Sequence, residues 1–238
     1  MNREIYLDNI GKVTLKESKR SRYLRLRVDP KEGIVAIVPK GISEKILIPF
    51  LQEKKAWLEK SLRKQEKLKS QFTIFTHRGN YRTRFHTLFL RPHKKNTVKS
   101  AVGENKIIIL YPEDAEVTDE RIQIVIRRAV LEAWRVEAKR ILPARVKELA
   151  DQYHFKYRKL TVKNAKTRWG SCSAENNINL NLQLMRLPDE LIDYVIIHEL
   201  THTIHKHHQA RFWQTLERIF PNARQLDKAL NSYHLEYW

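Results

Sequence analysis

Alternation of apolar and polar residues with period two dominates the first third of the chain. Ile5 and Leu7, then Val13 and Leu15, are separated by polar neighbours. The stretch Arg22-Tyr23-Leu24-Arg25-Leu26-Arg27-Val28 puts Leu24, Leu26 and Val28 on one side of a strand and Arg25 and Arg27 on the other. Asp29-Pro30 marks a turn, and residues 33–38 read as another strand, ended by Pro39. The period then lengthens. Leu47, Phe50, Leu51, Trp57, Leu58 and Leu62 recur at helical spacing behind Ser43, whose hydroxyl suits an N-cap. One helix is expected here, with Trp57 in the core and with Pro49 at its regular start or bending its first turn.

Residues 72–75, 81–90 and 106–110 return to strand patterning around a Gly79-Asn80 turn. Thr118 is the expected cap of a long helix through Ile122, Ile126, Ala129, Val130, Ala133 and Ile141. Pro143 should kink that helix or open a second one reaching about Tyr153. Leu160-Thr161-Val162 and the series Ile178, Leu180, Leu182 read as strands, and residues 169–173 as a tight loop. Helices are then expected from Pro188-Asp189-Glu190, over residues 211–220, and from Arg224 to about Tyr233. The succession gives an α+β protein: a mostly antiparallel β part with one helix over residues 1–112, and a helical core with a small sheet over residues 113–238.

Charge changes the picture of the N-terminal part. The chain carries a formal net charge of +19. Residues 1–100 hold 25 Lys and Arg against 9 Asp and Glu, a net of +16, whereas residues 101–238 hold 21 against 18, a net of +3. Such asymmetry suits a footprint for nucleic acid or another polyanion, and equally the wet face of a sheet. One cysteine, Cys172, excludes an internal disulfide and a cysteine-rich structural zinc site. No run approaches a membrane span and no signal-peptide core opens the chain, so a cytoplasmic protein without a membrane partner is expected.

The chemistry concentrates between His198 and Trp213. An apolar run, Tyr194 to Ile197, feeds into His-Glu-Leu-Thr-His, and half of the ten histidines lie between positions 198 and 208. On a helix, His198 and His202 leave the same face one turn apart, the spacing with which two imidazoles grip one zinc ion; Glu199 beside them can act as general base. A catalytic zinc needs a third protein ligand. His205, seven residues past His198, would lie about 10 Å along the helix axis and is too far to share the ion. The third ligand must therefore come from His207, His208 or His234, after the helix ends or bends. The interval to His208 matches that of the metzincins, which place glycine where this chain has His205. The scattered His77, His86 and His93 have no ligand spacing.

Three further stretches accompany the motif: Arg168-Trp169-Gly170-Ser171-Cys172, Ile178-Asn179-Leu180-Asn181, and Tyr194-Val195 leading to His198, Glu199, His202, His208 and Phe212-Trp213. In this the chain resembles the YgjP-like, SprT-related zinc metallopeptidases. The resemblance implies a zincin-like fold, zinc held by His198, His202 and His208, Glu199 as catalytic base, and a protein or peptide substrate. In peptidases of this build an extended substrate adds to an edge strand, for which residues 177–182, with Asn179 and Asn181, are the candidate. Phe212, Trp213 and Leu216 are expected to pack behind the ligands, and Tyr233, His234 or Tyr237 could donate to an oxyanion. Cys172 has no obvious histidine partner and reads as structural. Two other functions compete: metal-dependent hydrolysis of a phosphoanhydride, drawing on the basic half, and a polyanion-binding module whose zinc is structural.

Overall fold

The computed structural model describes residues 2–7, 10–18, 20–29, 32–69 and 73–235. The chain divides into two compact units, one formed by the first 73 residues and the other beginning at Ile74.

In the first unit, β1 (Asn2–Leu7), β2 (Gly11–Ser18), β3 (Arg25–Asp29) and β4 (Gly33–Pro39) form one sheet in the order β1-β2-β4-β3. The β2–β4 pairing is parallel and the other two are antiparallel. Alternation puts Val13, Leu15, Ile34, Ala36 and Val38 on the face covered by Leu47, Leu51 and Leu58, with Leu24, Leu26 and Val28 packed alongside. Arg25 and Arg27 fall on the other side of β3, as the pattern predicts. The single expected helix is two: α1 (Glu44–Glu53) and α2 (Lys55–Lys69), parted at Lys54. Ser43 caps α1, its hydroxyl accepting from the Lys45 N–H at 3.3 Å. Pro49 lies inside α1 rather than at its start. Leu58 lies three helical turns past Leu47 and shares its buried face, whereas Trp57 falls off that face and is 47% exposed, contrary to the sequence expectation.

The second unit holds two three-stranded sheets and the remaining helices. β5 (Thr87–His93), β6 (Lys99–Val102) and β7 (Lys106–Pro112) assemble in the order β5-β7-β6. α3 (Glu120–Gln152) packs on β6 and β7. This packing draws residues 74–112 into the second unit, so the boundary falls after Thr73 instead of near 113–117: Leu88, Ile107, Ile109 and Tyr111 need the apolar face of α3 to leave water. The cap of α3 is Asp119, one residue beyond Thr118, accepting from the Arg121 N–H at 2.8 Å. At 33 residues α3 continues without interruption past Pro143. Proline removes the bond to the Lys139 carbonyl, and both residues are exposed, so water can serve that carbonyl. His86, to which the sequence assigned no role, is buried against α3: its Nδ1 lies 2.7 Å from Glu137 Oε1, which also accepts from the Phe85 N–H.

β8 (Lys159–Lys163), β9 (Gly170–Cys172) and β10 (Asn177–Asn181) form the second sheet, followed by a 3₁₀ turn (Leu182–Arg186), α4 (Asp189–Thr201), α5 (Ala210–Ile219) and α6 (Ala223–Leu230). Residues 170–172 are thus a strand where a loop was expected. An Arg145–Asp193 pair, with N–O distances of 2.7 and 2.5 Å, ties α3 to α4. Among the described residues no helix is long and apolar enough to cross a membrane.

Candidate metal centre

α4 starts after Pro188, with Asp189 and Glu190 at the positive end of the helix dipole. Leu191, Ile192, Val195, Ile196, Ile197 and Leu200 are buried around it, which fixes its rotation and its depth. His198 and His202 stand one turn apart with ring centroids 5.0 Å from each other. The helix ends at His202. Bonds from the Thr203 N–H to the Leu200 carbonyl and from the Ile204 and His205 N–H groups to the Thr201 carbonyl turn the chain away. None of these residues has a positive φ, so the reversal is made without glycine. It also removes His205 from the helix face. The His205 ring meets Thr215 Oγ1 at 3.1 Å, and its carbonyl accepts from His202 Nδ1 at 2.9 Å.

Past the turn, His208 comes back to the first two histidines. Its Nε2 lies 2.9 Å from His198 Nε2 and 3.1 Å from His202 Nε2, and the three ligand atoms all fall within 4.8 Å of one another. Of the three candidates for a third ligand, the structure brings His208 to this place and neither His207 nor His234; the His234 carbonyl accepts from Arg186. Because His202 Nδ1–H donates to a carbonyl, its Nε2 carries the lone pair. Two nitrogens on one tetrahedral zinc at about 2.1 Å would sit about 3.4 Å apart, so the two distances from His208 fall within about half an ångström of that spacing. Burial drives the His198 pKa down to about 3, with His202 and His208 adding to the effect. Burial lowers His202 as well, partly offset by its bond to the His205 carbonyl. Both rings are held neutral, as ligation requires. Phe212 lies behind all three, its centroid 4.9 Å from His198 and 4.6 Å from each of His202 and His208. Leu216 is buried too, and Trp213 stacks under Arg224.

Glu199 is buried beside this cluster. Burial raises its pKa to about 8, against a lowering by the charge of Arg168. Its carboxylate rests on the backbone of β9: a Cβ on Gly170 would stand 2.6 Å from Glu199 Cγ and Oε1 and 2.8 Å from Cδ. That contact accounts for the glycine of the Arg-Trp-Gly-Ser-Cys stretch. Spacing along the sequence could not show it, since strand and helix meet only in the fold.

The sheet corrects the choice of edge strand. The order is β8-β10-β9, with β10 parallel to β8 and antiparallel to β9, so β10 is the central strand and its backbone is spent. Asn181 is buried, donating to the Ala165 and Arg168 carbonyls and accepting from the Gln183 N–H. Asn179 donates to Ser171 Oγ. The edge beside Glu199 is β9. Trp169 and Ser173 bond to Asn181 and Asn177, so alternation turns the N–H and C=O of Gly170 and Cys172 away from β10. Burial raises the Cys172 thiol above its usual range, against use as a nucleophile. Lys206, unremarked in the sequence, ties the loop carrying His208 to the β9–β10 turn: its Nζ donates to the Ser173 carbonyl at 3.1 Å and to Asn176 Oδ1 at 2.5 Å. Tyr233 and His234 adjoin Arg186; Tyr237 lies outside the described residues.

Two histidines one turn apart on a helix and a third returning after a sharp bend, beside a buried carboxyl, make a group that could hold a metal ion. The chain belongs to the YgjP-like family: the description "YgjP-like, metallopeptidase domain" matches residues 22–233. No curated protein matches it. Among solved structures, the metallopeptidase zymogen abylysin of Pyrococcus abyssi is 20% identical, covering 39% of this chain and 93% of its own, with a TM-score of 0.36. The zymogen jannalysin of Methanocaldococcus jannaschii is 22% identical, covering 38% and 93%, with a TM-score of 0.35. Family membership supports a metal-dependent peptidase, a hydrolase acting on peptides or proteins.

Proposed function

We propose that the protein is a zinc-dependent endo- or exopeptidase in which His198, His202 and His208 hold the ion and Glu199 is the general base. The observation that carries this reading is the meeting of three imidazole nitrogens within 4.8 Å beside a buried carboxyl. A bound zinc would acidify water toward neutral pH and polarise the scissile carbonyl. Glu199 then takes a proton from the attacking water at its carboxylate and passes it to the departing amine nitrogen. Ionisation of Glu199 has to work against its burial, and the cationic centre and Arg168 both favour it. His202, oriented by its Nδ1–H bond to the His205 carbonyl, presents Nε2 to the ion. The peptide lies extended against the free edge of β9, bonding to the outward groups of Gly170 and Cys172, which takes over the part first given to β10.

Glu199→Gln keeps the shape and the three histidines while removing the base. The purified variant should retain its metal and lose turnover by a factor of about 10² to 10⁴. Metal content by mass spectrometry, together with peptide hydrolysis before and after chelation and zinc repletion, tests the reading. Wild-type activity in Glu199→Gln would overturn it.

A further inference from the structure

Besides the histidine cluster, the β8–β10–β9 sheet carries a second concavity. On its inner face Ile178 and Leu180 are buried, and Gly170, paired with Leu180, meets Glu199. The opposite face carries Asn179 and Ser171, hydrogen-bonded across the strands. Over that face opens a cleft of roughly 200 Å³ lined by Lys163, Arg168, Trp169, Ser171 and Asn179, with no carboxylate in its wall. This is the space of about six or seven water molecules.

Its charge is one-sided by sequence as well as by shape. From Phe155 to Ala174 the chain has six Lys and Arg and no Asp or Glu. Neither Lys163 nor Arg168 makes a side-chain hydrogen bond or ion pair among the described residues, although the charge of Arg168 reaches Glu199. The Ser171 hydroxyl accepts from Asn179 and keeps its own proton to donate. A peptide strand on the free edge of β9 sends alternate side chains to the two faces of the sheet. Those on the outer face, beside Ser171, run into the cleft.

We propose that this cleft is a specificity subsite that takes the carboxylate of an acidic side chain of the substrate, between Lys163, Arg168 and the Ser171 hydroxyl; the proposal rests on the peptidase reading above. Two cations with no side-chain hydrogen bond or ion pair to give up lose little in accepting a carboxylate, and charge-assisted bonds to it are stronger than neutral ones. A neutral isostere leaves both cations to water.

The test uses pairs of quenched fluorescent peptides, all amidated at the C-terminus, that differ only by Glu or Gln at one of the three residues on either side of the scissile bond. The ratio of kcat/KM for the Glu and Gln members is measured with wild type and with the Lys163→Gln, Arg168→Gln double variant. At one position the ratio should be about tenfold or more in wild type, shrink as salt is raised, and fall to near one in the double variant. A ratio near one at every position, or a preference that survives in the double variant, overturns the proposal. Fluorescence anisotropy of the same pairs on the Glu199→Gln protein reads the cleft without turnover. Cleavage without acid preference sinks the subsite alone. Absence of cleavage, with binding that still prefers Glu through Lys163 and Arg168, sinks the peptidase reading and leaves the subsite standing.

Discussion

Gly170→Ala probes the link between β9 and the active-site helix with a single methyl group. The added Cβ would lie 2.6 Å from Glu199 Cγ and Oε1, whereas non-bonded carbons settle at about 3.5 to 4.0 Å. The carboxyl must therefore retreat by about 1 Å, because the opposing atom belongs to a strand held by its pairing with β10. The backbone raises no objection, since Gly170 has no positive φ. A reacting group misplaced by about 1 Å loses roughly 10² in rate, while overpacking of this kind destabilises by about 1–3 kcal/mol. The expected result is a kcat near 1% of wild type with full metal content and a melting temperature lowered by only a few degrees. Stopped peptide hydrolysis, metal analysis and thermal unfolding on one preparation separate these effects. A kcat within twofold of wild type would show that Glu199 is not positioned by β9, and the mechanism built on that contact would fall.

His208→Ala should lower zinc well below one ion per chain and His207→Ala should leave it; the opposite ranking, by metal analysis, would move the third ligand. Lys206→Met cuts the tether between the His208 loop and the β9–β10 turn, so zinc affinity in a chelator competition should weaken about tenfold, and unchanged affinity would make the tether idle. In the metal-free protein Glu199 titrates at about 8 instead of 4.5, so between those values the folded state binds the extra proton and stability falls as pH rises, by on the order of 5 kcal/mol at most. Below about pH 6.5 the lowered His198 and His202 act in the opposite direction, so the effect is read above it: thermal melts at pH 7, 7.5 and 8 should show a decline that Glu199→Gln flattens, and equal slopes in both proteins would refute the burial argument.

Much of this site was legible before any coordinates. An apolar run leading into His198-Glu199-x-x-His202 can only amount to a helix with two imidazoles on one face, because helical periodicity is local. The same holds for the Ser43 cap, for the alternation of β3, and for Phe212 behind the ligands. Where the expectations failed, the deciding contact came from elsewhere in the chain. Trp57 stays out of the core because the sheet covers the helical face of Leu47, Leu51 and Leu58, and Trp57 lies off that face. Pro143 did not end α3; it and Lys139 lie on the exposed side of the helix.

The sequence by itself determined the chemical inventory, namely three usable histidines, one carboxylate among them and no cysteine set to compete, together with the helix that presents the first pair. Helix geometry left His207, His208 and His234 open and only the family resemblance pointed to His208; the fold brings it back, through the bend after His202 and the Lys206 tether. Tertiary structure also decided that β9, and not β10, is the edge beside Glu199, and that Gly170 must be glycine. Strand order and close approach depend on partners distant in the chain, and no local period of hydrophobicity carries that information.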